Sequence, residues 1–186
     1  MPKQLFFTKQ RKPPTINKNI ETYCDVDEWH GLDTTASFRK YWRGKNMRGW
    51  LFLDLRRLVK PDVVASNEAL PFREGTFTEL FYDPPSVARG RGQFVGSSME
   101  VRYGFWRKKA DFDKNLQAVN AEFIRVLKPN GNLLFKWTQG SGSIRPLGFC
   151  LDHLSNFAVS TSASFPSKSG NKRTRVHFVV MRKRST

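Results

Sequence analysis

The sequence predicts an α/β fold with a doubly wound, mostly parallel sheet. Three observations carry this. Two continuous apolar runs, residues 50–55 (WLFLDL) and 77–82 (FTELFY), each end beside an acid, as strands buried on both faces do. One long stretch with Phe112, Leu116, Val119, Phe123 and Leu127 on a single helical face separates them from later strands. Finally, residues 157–161 and 174–181 form a terminal strand pair, the second alternating Val176, Phe178 and Val180 with other residues.

The elements follow in order. Residues 1–18 hold four lysines, an arginine and no acid, with Pro13-Pro14 among them, and read as a basic arm preceding a single domain over 19–186. A short first strand is expected at 21–26. Asp33 or Thr34 then caps a helix running to Arg43, with Phe38, Tyr41 and Trp42 as its apolar stripe and Gly44 as its stop. Strands follow at 50–55, 62–65 and 77–82, the last entered through Leu70-Pro71-Phe72 and Glu74-Gly75. The glycine-rich, basic residues 86–109 read as a loop. A helix from Asp111 ends at Lys128-Pro129-Asn130-Gly131, the fifth strand covers 132–137, and a helix around 147–154 precedes the strand pair.

The most informative local pattern is Asp83-Pro84-Pro85. Proline cannot continue a ladder, so the strand stops and leaves Asp83 at a carboxyl end of the sheet, where open α/β folds place ligand chemistry. The prolines fix carbonyl acceptors beside that carboxylate. An acid with a fixed carbonyl can grip an –NH2 group and aim its lone pair at an electrophile. Asp54 follows Gly31 by 23 residues, near the spacing of a ribose-binding acid in dinucleotide sites, and could equally cap Arg56 or Arg57.

Composition narrows the partners. The chain of 186 residues carries 32 Lys+Arg against 16 Asp+Glu, a net charge of +16. Such an excess costs self-repulsion and points to a polyanion. Aromatics interleave with basic residues in 89–109, where Arg89, Arg91, Tyr103, Phe105 and Trp106 combine phosphate and base-stacking chemistry. Nucleic acid, RNA or DNA, is the expected partner. No apolar stretch approaches the roughly 20 residues of a membrane helix, no secretory apolar segment opens the sequence, and Cys24 and Cys150 lie far apart without a CxxC pattern. A cytoplasmic protein without a metal site is expected.

The segments FLDLRR, KPDVVASNEALPF, GTFTELFYDPPSV, AEFIRVLKPNGNLLFKW and TRVHFVVMRK, in this order, resemble the class I S-adenosylmethionine-dependent methyltransferases over about residues 20–183. The middle segments are similar to small phage and bacterial members in which an acid-Pro-Pro turn precedes RVLKPNG and FKW. The resemblance implies a Rossmann-like seven-stranded sheet with a reversed last strand, S-adenosylmethionine as cofactor over the carboxyl ends of the first strands, and Asp83, Pro84 and Pro85 facing an exocyclic amine of a nucleic-acid base.

It also assigns the remaining positions. Asp25 and Asp27 would hold the cofactor's amino group, in a loop whose one glycine is Gly31. Ser66 and Asn67 stand where an acid often meets the adenine. Ser86 stands where amino-directed members carry a stacking aromatic, with Phe105 or Trp106 as replacements from the following loop. The sparse glycines, Ser66 and Ser86 are departures, and they leave a second reading: a methyltransferase-like scaffold that binds nucleic acid without catalysis.

Overall fold

The computed structural model describes residues 29–85, 106, 108–139, 145–167 and 174–184. The basic arm, the strand expected at 21–26, and Asp25, Asp27, Ser86, Arg89, Arg91, Tyr103 and Phe105 lie outside the described residues.

Seven strands form one sheet: β1 (Gly31–Asp33), β2 (Trp50–Asp54), β3 (Val63–Val64), β4 (Phe77–Tyr82), β5 (Leu127–Gln139), β6 (Phe157–Pro166) and β7 (Arg175–Lys183), in the order β3-β2-β1-β4-β5-β7-β6. The first five run parallel. β7 is antiparallel to both β5 and β6, which makes it the single reversed strand. The expected Rossmann-like sheet with a reversed last strand is therefore present.

One face of the sheet is covered by α1 (Lys109–Val126) and α2 (Leu147–His153). α1 exists because its apolar residues share a stripe: Phe112, Leu116, Val119, Phe123 and Val126 are all fully buried. Each contributes about 1.5–3 kcal/mol of burial. Tyr82, Phe135 and Trp137 receive this stripe from the strands, with Phe112 stacked on Trp137 at 5.3 Å and Tyr82 edge-on to Phe123 at 5.2 Å. The helix stops before Pro129, and Asn130 takes a left-handed φ of 61° to turn the chain into the body of β5. That turn shows as a register shift, since Phe77 pairs with Leu127 but Glu79 already with Asn132.

Two local expectations change. The first strand among the described residues is Gly31–Asp33, which starts five residues past the end of the region 21–26. Gly31 thus lies inside β1, opposite Trp50, where an added Cβ would come within 2.5 Å of the indole. It does not sit in the loop that follows the strand. The helix expected from Asp33 to Arg43 is replaced by turns and one 3-10 turn, Lys40–Trp42. Its amide groups are taken sideways: Thr34 N–H donates to Phe81 O and Ala36 N–H to Leu53 O. Ser37 and Arg39 adopt φ of 47° and 55°, which no helix tolerates.

Candidate active site

The segment after β1 packs on the sheet face opposite α1. Ala36, Trp42, Phe52 and Phe81 form a small buried cluster there, joined by Tyr41, Trp50 and Leu134. The carboxyl ends of β2, β1 and β4 bring Asp54, Asp33 and Asp83 to this same side. β5 adds Lys136, the residue facing Asp83 in the continued β4–β5 register.

Asp83 is fixed at both ends. Its N–H donates to Thr35 Oγ1 at 2.8 Å, and its Oδ2 accepts from Lys136 Nζ in an ion pair. Its side chain retains 28% exposure. Among the described residues no donor reaches Oδ1. Burial pushes the carboxyl above its ordinary range, and the Lys136 ammonium pulls it back. Pro84 is buried and Pro85 half-buried, so the rigid exit behind Asp83 is part of the packed structure.

Asp33 is 1% exposed. Its Oδ2 accepts from Trp42 Nε1 at 2.7 Å and its Oδ1 from Thr35 N–H at 2.9 Å. Burial raises its pKa to about 7; the two donors oppose this, and the charges of Asp83 and Asp54 add to it. Burial, with the charges of Asp33 and Asp83, raises the Tyr41 phenol.

Asp54, 6% exposed, ends β2. Its oxygens accept from Ser37 N–H at 2.9 Å, Arg56 N–H at 2.9 Å, Arg56 Nε at 3.0 Å and Arg56 Nη2 at 3.2 Å. Of the two roles read from the sequence, the pairing with Arg56 is the one observed, at the carboxyl end of β2. Ser37, which donates to Asp54, takes a left-handed φ of 47°, in a position that would ordinarily call for glycine.

Ser66 and Asn67 follow β3. Ser66 Oγ accepts from Glu68 N–H at 3.2 Å. Asn67 Oδ1 accepts from Asn115 Nδ2 at 3.1 Å, and the same nitrogen donates to Glu68 Oε1 at 2.7 Å. Asn115 Oδ1 in turn accepts from Tyr82 O–H at 2.7 Å. This network, buried at its Tyr82–Asn115 end, ties the loop after β3 to α1 and to the residue before Asp83. Trp106 is half-buried against the core, 6.0 Å from the Phe112 ring. Its surroundings are those of a packing residue.

The structure therefore brings together Asp54, Asp83, Pro84 and Pro85, places Ser66 and Asn67 on the next loop, and removes Gly31 from it. Sequence reasoning passed over Lys136, and read Asp33 only as a helix cap and Arg56 only as a partner of Asp54. Lys136 was detectable as the one charge within the apolar run 133–137 (LLFKW). Asp33 was hidden because the strand it ends is three residues long.

No protein-family profile and no curated protein sequence matches the chain. Solved structures do. MccD protein aligns with a TM-score of 0.57 at 12% identity, covering 84% of this chain and 90% of its own. The N-methyltransferase NodS from Bradyrhizobium japonicum WM9 aligns at 0.56 and 8%, covering 85% and 87%, and was also solved with S-adenosyl-L-homocysteine. The [4+2]-cyclase SpnF aligns at 0.55 and 10%, covering 90% and 79%. These alignments, with a seven-stranded sheet whose last strand is reversed, lead to one conclusion: the chain has the fold of the class I S-adenosylmethionine-dependent methyltransferases.

Proposed function

We propose that this protein is an S-adenosylmethionine-dependent methyltransferase whose acceptor is an exocyclic amine of a nucleic-acid base. The observation that carries the reading is Asp83: a carboxylate at the end of β4, held at Oδ2 by Lys136, with Oδ1 left for an amine hydrogen. The net charge of +16 supports the polyanionic substrate.

The residues on the β1–β3 ends fit the cofactor with one rearrangement. The loop from Asp33 to Ser37 would border it, Asp54 would accept from ribose hydroxyls, and Ser66 and Asn67 would flank its base. All the lone pairs of Asp54 now have protein partners, three of the four bonds coming from Arg56. The Arg56 side chain is 30% exposed while that of Asp54 is 7%, and ribose hydroxyls would take the places of the Arg56 Nε and Nη2 bonds on the Asp54 carboxylate. When bound, the cofactor supplies an electrophilic methyl group on sulfur.

Asp83 and the Pro84 carbonyl would each accept one amine hydrogen, which fixes the nitrogen lone pair along the line of attack. Asp83 need not be a strong base, since the proton leaves after the nitrogen has been alkylated. Lys136 opposes the burial that raises the Asp83 carboxyl, and so favours the carboxylate that accepts on both oxygens. A base within a duplex would first have to leave the stack.

Calorimetry with S-adenosylmethionine, followed by transfer of its labelled methyl group to RNA and to DNA, tests the proposal. Cofactor binding with methyl transfer that disappears in Asp83→Ala is expected. Cofactor binding with no transfer to either nucleic acid refutes the assigned substrate, and no cofactor binding favours a scaffold that binds nucleic acid without catalysis.

A further inference from the structure

On the face opposite α1, cover is uneven. Among the described residues, 34–49 pack over β2, β1 and β4, and this cover ends at Tyr41, whose ring stacks on Phe81 at 4.4 Å and meets Phe178 of β7 at 5.9 Å. Beyond this border the cross-strand register puts Leu134, Lys136 and Thr138 of β5, Val180, Phe178 and Val176 of β7, and Thr161, Ala163 and Phe165 of β6 on the same side. The β5 and β7 members are half-buried, and the β6 members are exposed, Phe165 at 54%. Phe165 and Phe178 lie edge-to-face with centroids 6.2 Å apart.

We propose that this open face of β5, β7 and β6 binds the single-stranded nucleotides that flank the target base, with bases against Phe178 and Phe165. The proposal rests on the nucleic-acid reading given above and adds where the substrate lies. Continuity with the candidate site supports it, because Phe178 is the cross-strand neighbour of Lys136, which holds Asp83. A strand crossing this face passes directly beside the acceptor carboxylate.

Charge selects the occupant. Residues 39–48, the segment that carries Tyr41, contain five basic residues and no acid, and no acid follows Asp152 in the sequence. Arg43 and Arg48 are exposed, and Arg182 is exposed on the open face itself, in register with Asn132 and Ala158. A second copy of so basic a chain would be repelled here, whereas phosphates are attracted. Spacing selects the single-stranded form. Ring centroids near 6 Å apart exceed the ~3.4 Å rise of stacked bases, so the ladder suits bases that have been splayed. A sheet face bearing aromatics can stack two or three such bases while backbone cations take the phosphates.

Fluorescence anisotropy with short labelled oligouridylate and oligothymidylate, each against its duplex form, tests this on the full chain. Phe165→Ala should weaken single-strand binding by about five- to a hundred-fold, the range expected for losing one stacked base. Phe165→Tyr should bind as the wild type does. Arg182→Gln should lower the salt slope by about one. Circular dichroism should show every variant folded, as expected for exposed positions, and S-adenosylmethionine binding should be unchanged.

Wild-type protein that binds neither oligonucleotide at low salt overturns the nucleic-acid reading and the proposal with it. Wild-type binding that Phe165→Ala and Arg182→Gln leave intact overturns the proposal alone. Light scattering that shows a wild-type dimer converted to monomer by Phe165→Ala also overturns it, because the face would then be an interface between copies.

Discussion

Replacing Asp33 by asparagine tests the electrostatics at the root of the site. Asp33 is buried and its pKa is about 7, against 3.8 for the unfolded chain. Between those values the native state holds a proton that the unfolded state has released. Stability is therefore highest below the unfolded value and falls as pH rises, levelling off above about 7. The whole shift corresponds to about 4 kcal/mol, of which about 2.5 kcal/mol is lost between roughly pH 5 and pH 8. Asp33→Asn cannot ionise and removes this slope. The variant loses the Trp42 Nε1 bond to Oδ2, at about 1 kcal/mol, but that cost is the same at every pH. Urea unfolding followed by tryptophan fluorescence, across that pH range, gives the difference between the two proteins. The difference should move in favour of Asp33→Asn by about 2.5 kcal/mol from the acid to the alkaline end. A difference independent of pH would mean that Asp33 is ionised throughout, and the desolvation reasoning would fail.

Other expectations concern neighbouring residues. Lys136→Met removes the cation that opposes burial at Asp83, so the acid limb of the kcat/KM profile should move to higher pH, and Lys136→Arg should restore it; an unmoved limb would separate Lys136 from the chemistry. Arg56→Ala should leave cofactor affinity equal or tighter while Asp54→Ala weakens it about ten-fold or more, measured by calorimetry; a loss in Arg56→Ala would make Arg56 a ligand and not a competitor. Gly31→Ala drives a methyl group to 2.5 Å from the Trp50 ring and should cost about 1–3 kcal/mol in denaturant unfolding. Asn115→Leu leaves the buried Tyr82 hydroxyl without its acceptor and should cost about 1–3 kcal/mol, with an unchanged midpoint as the contrary result.

How far the sequence reads through to the structure depends on where each element's hydrogen bonds go. β2, β4 and α1 were legible because continuous apolar runs and a helical stripe reflect burial directly, and the Lys128–Gly131 turn because proline and a left-handed asparagine can do little else. Residues 33–43 misled because Phe38, Tyr41 and Trp42 have helical spacing, while the amides of Thr34 and Ala36 bond to neighbouring strands and Asp33 takes the Trp42 indole N–H. The true β1 carries three residues with no β-branched side chain, too little pattern to stand out. In the site, Asp83 was legible from its prolines. Its partner Lys136 comes from 53 residues away, and only the parallel register of β4 and β5 joins them.

The sheet's order imposes a timetable on the chain. β7 follows β6 in sequence yet lies between β5 and β6, so β6 has no hydrogen-bonded neighbour until β7 has been made. During synthesis the first five strands can assemble and leave one flank of β5 unpaired, with Lys136 and Leu134 unsupported on it, until the residues around 175–183 emerge and insert. The half of the sheet that borders Asp83 is thus completed only by residues translated after β6.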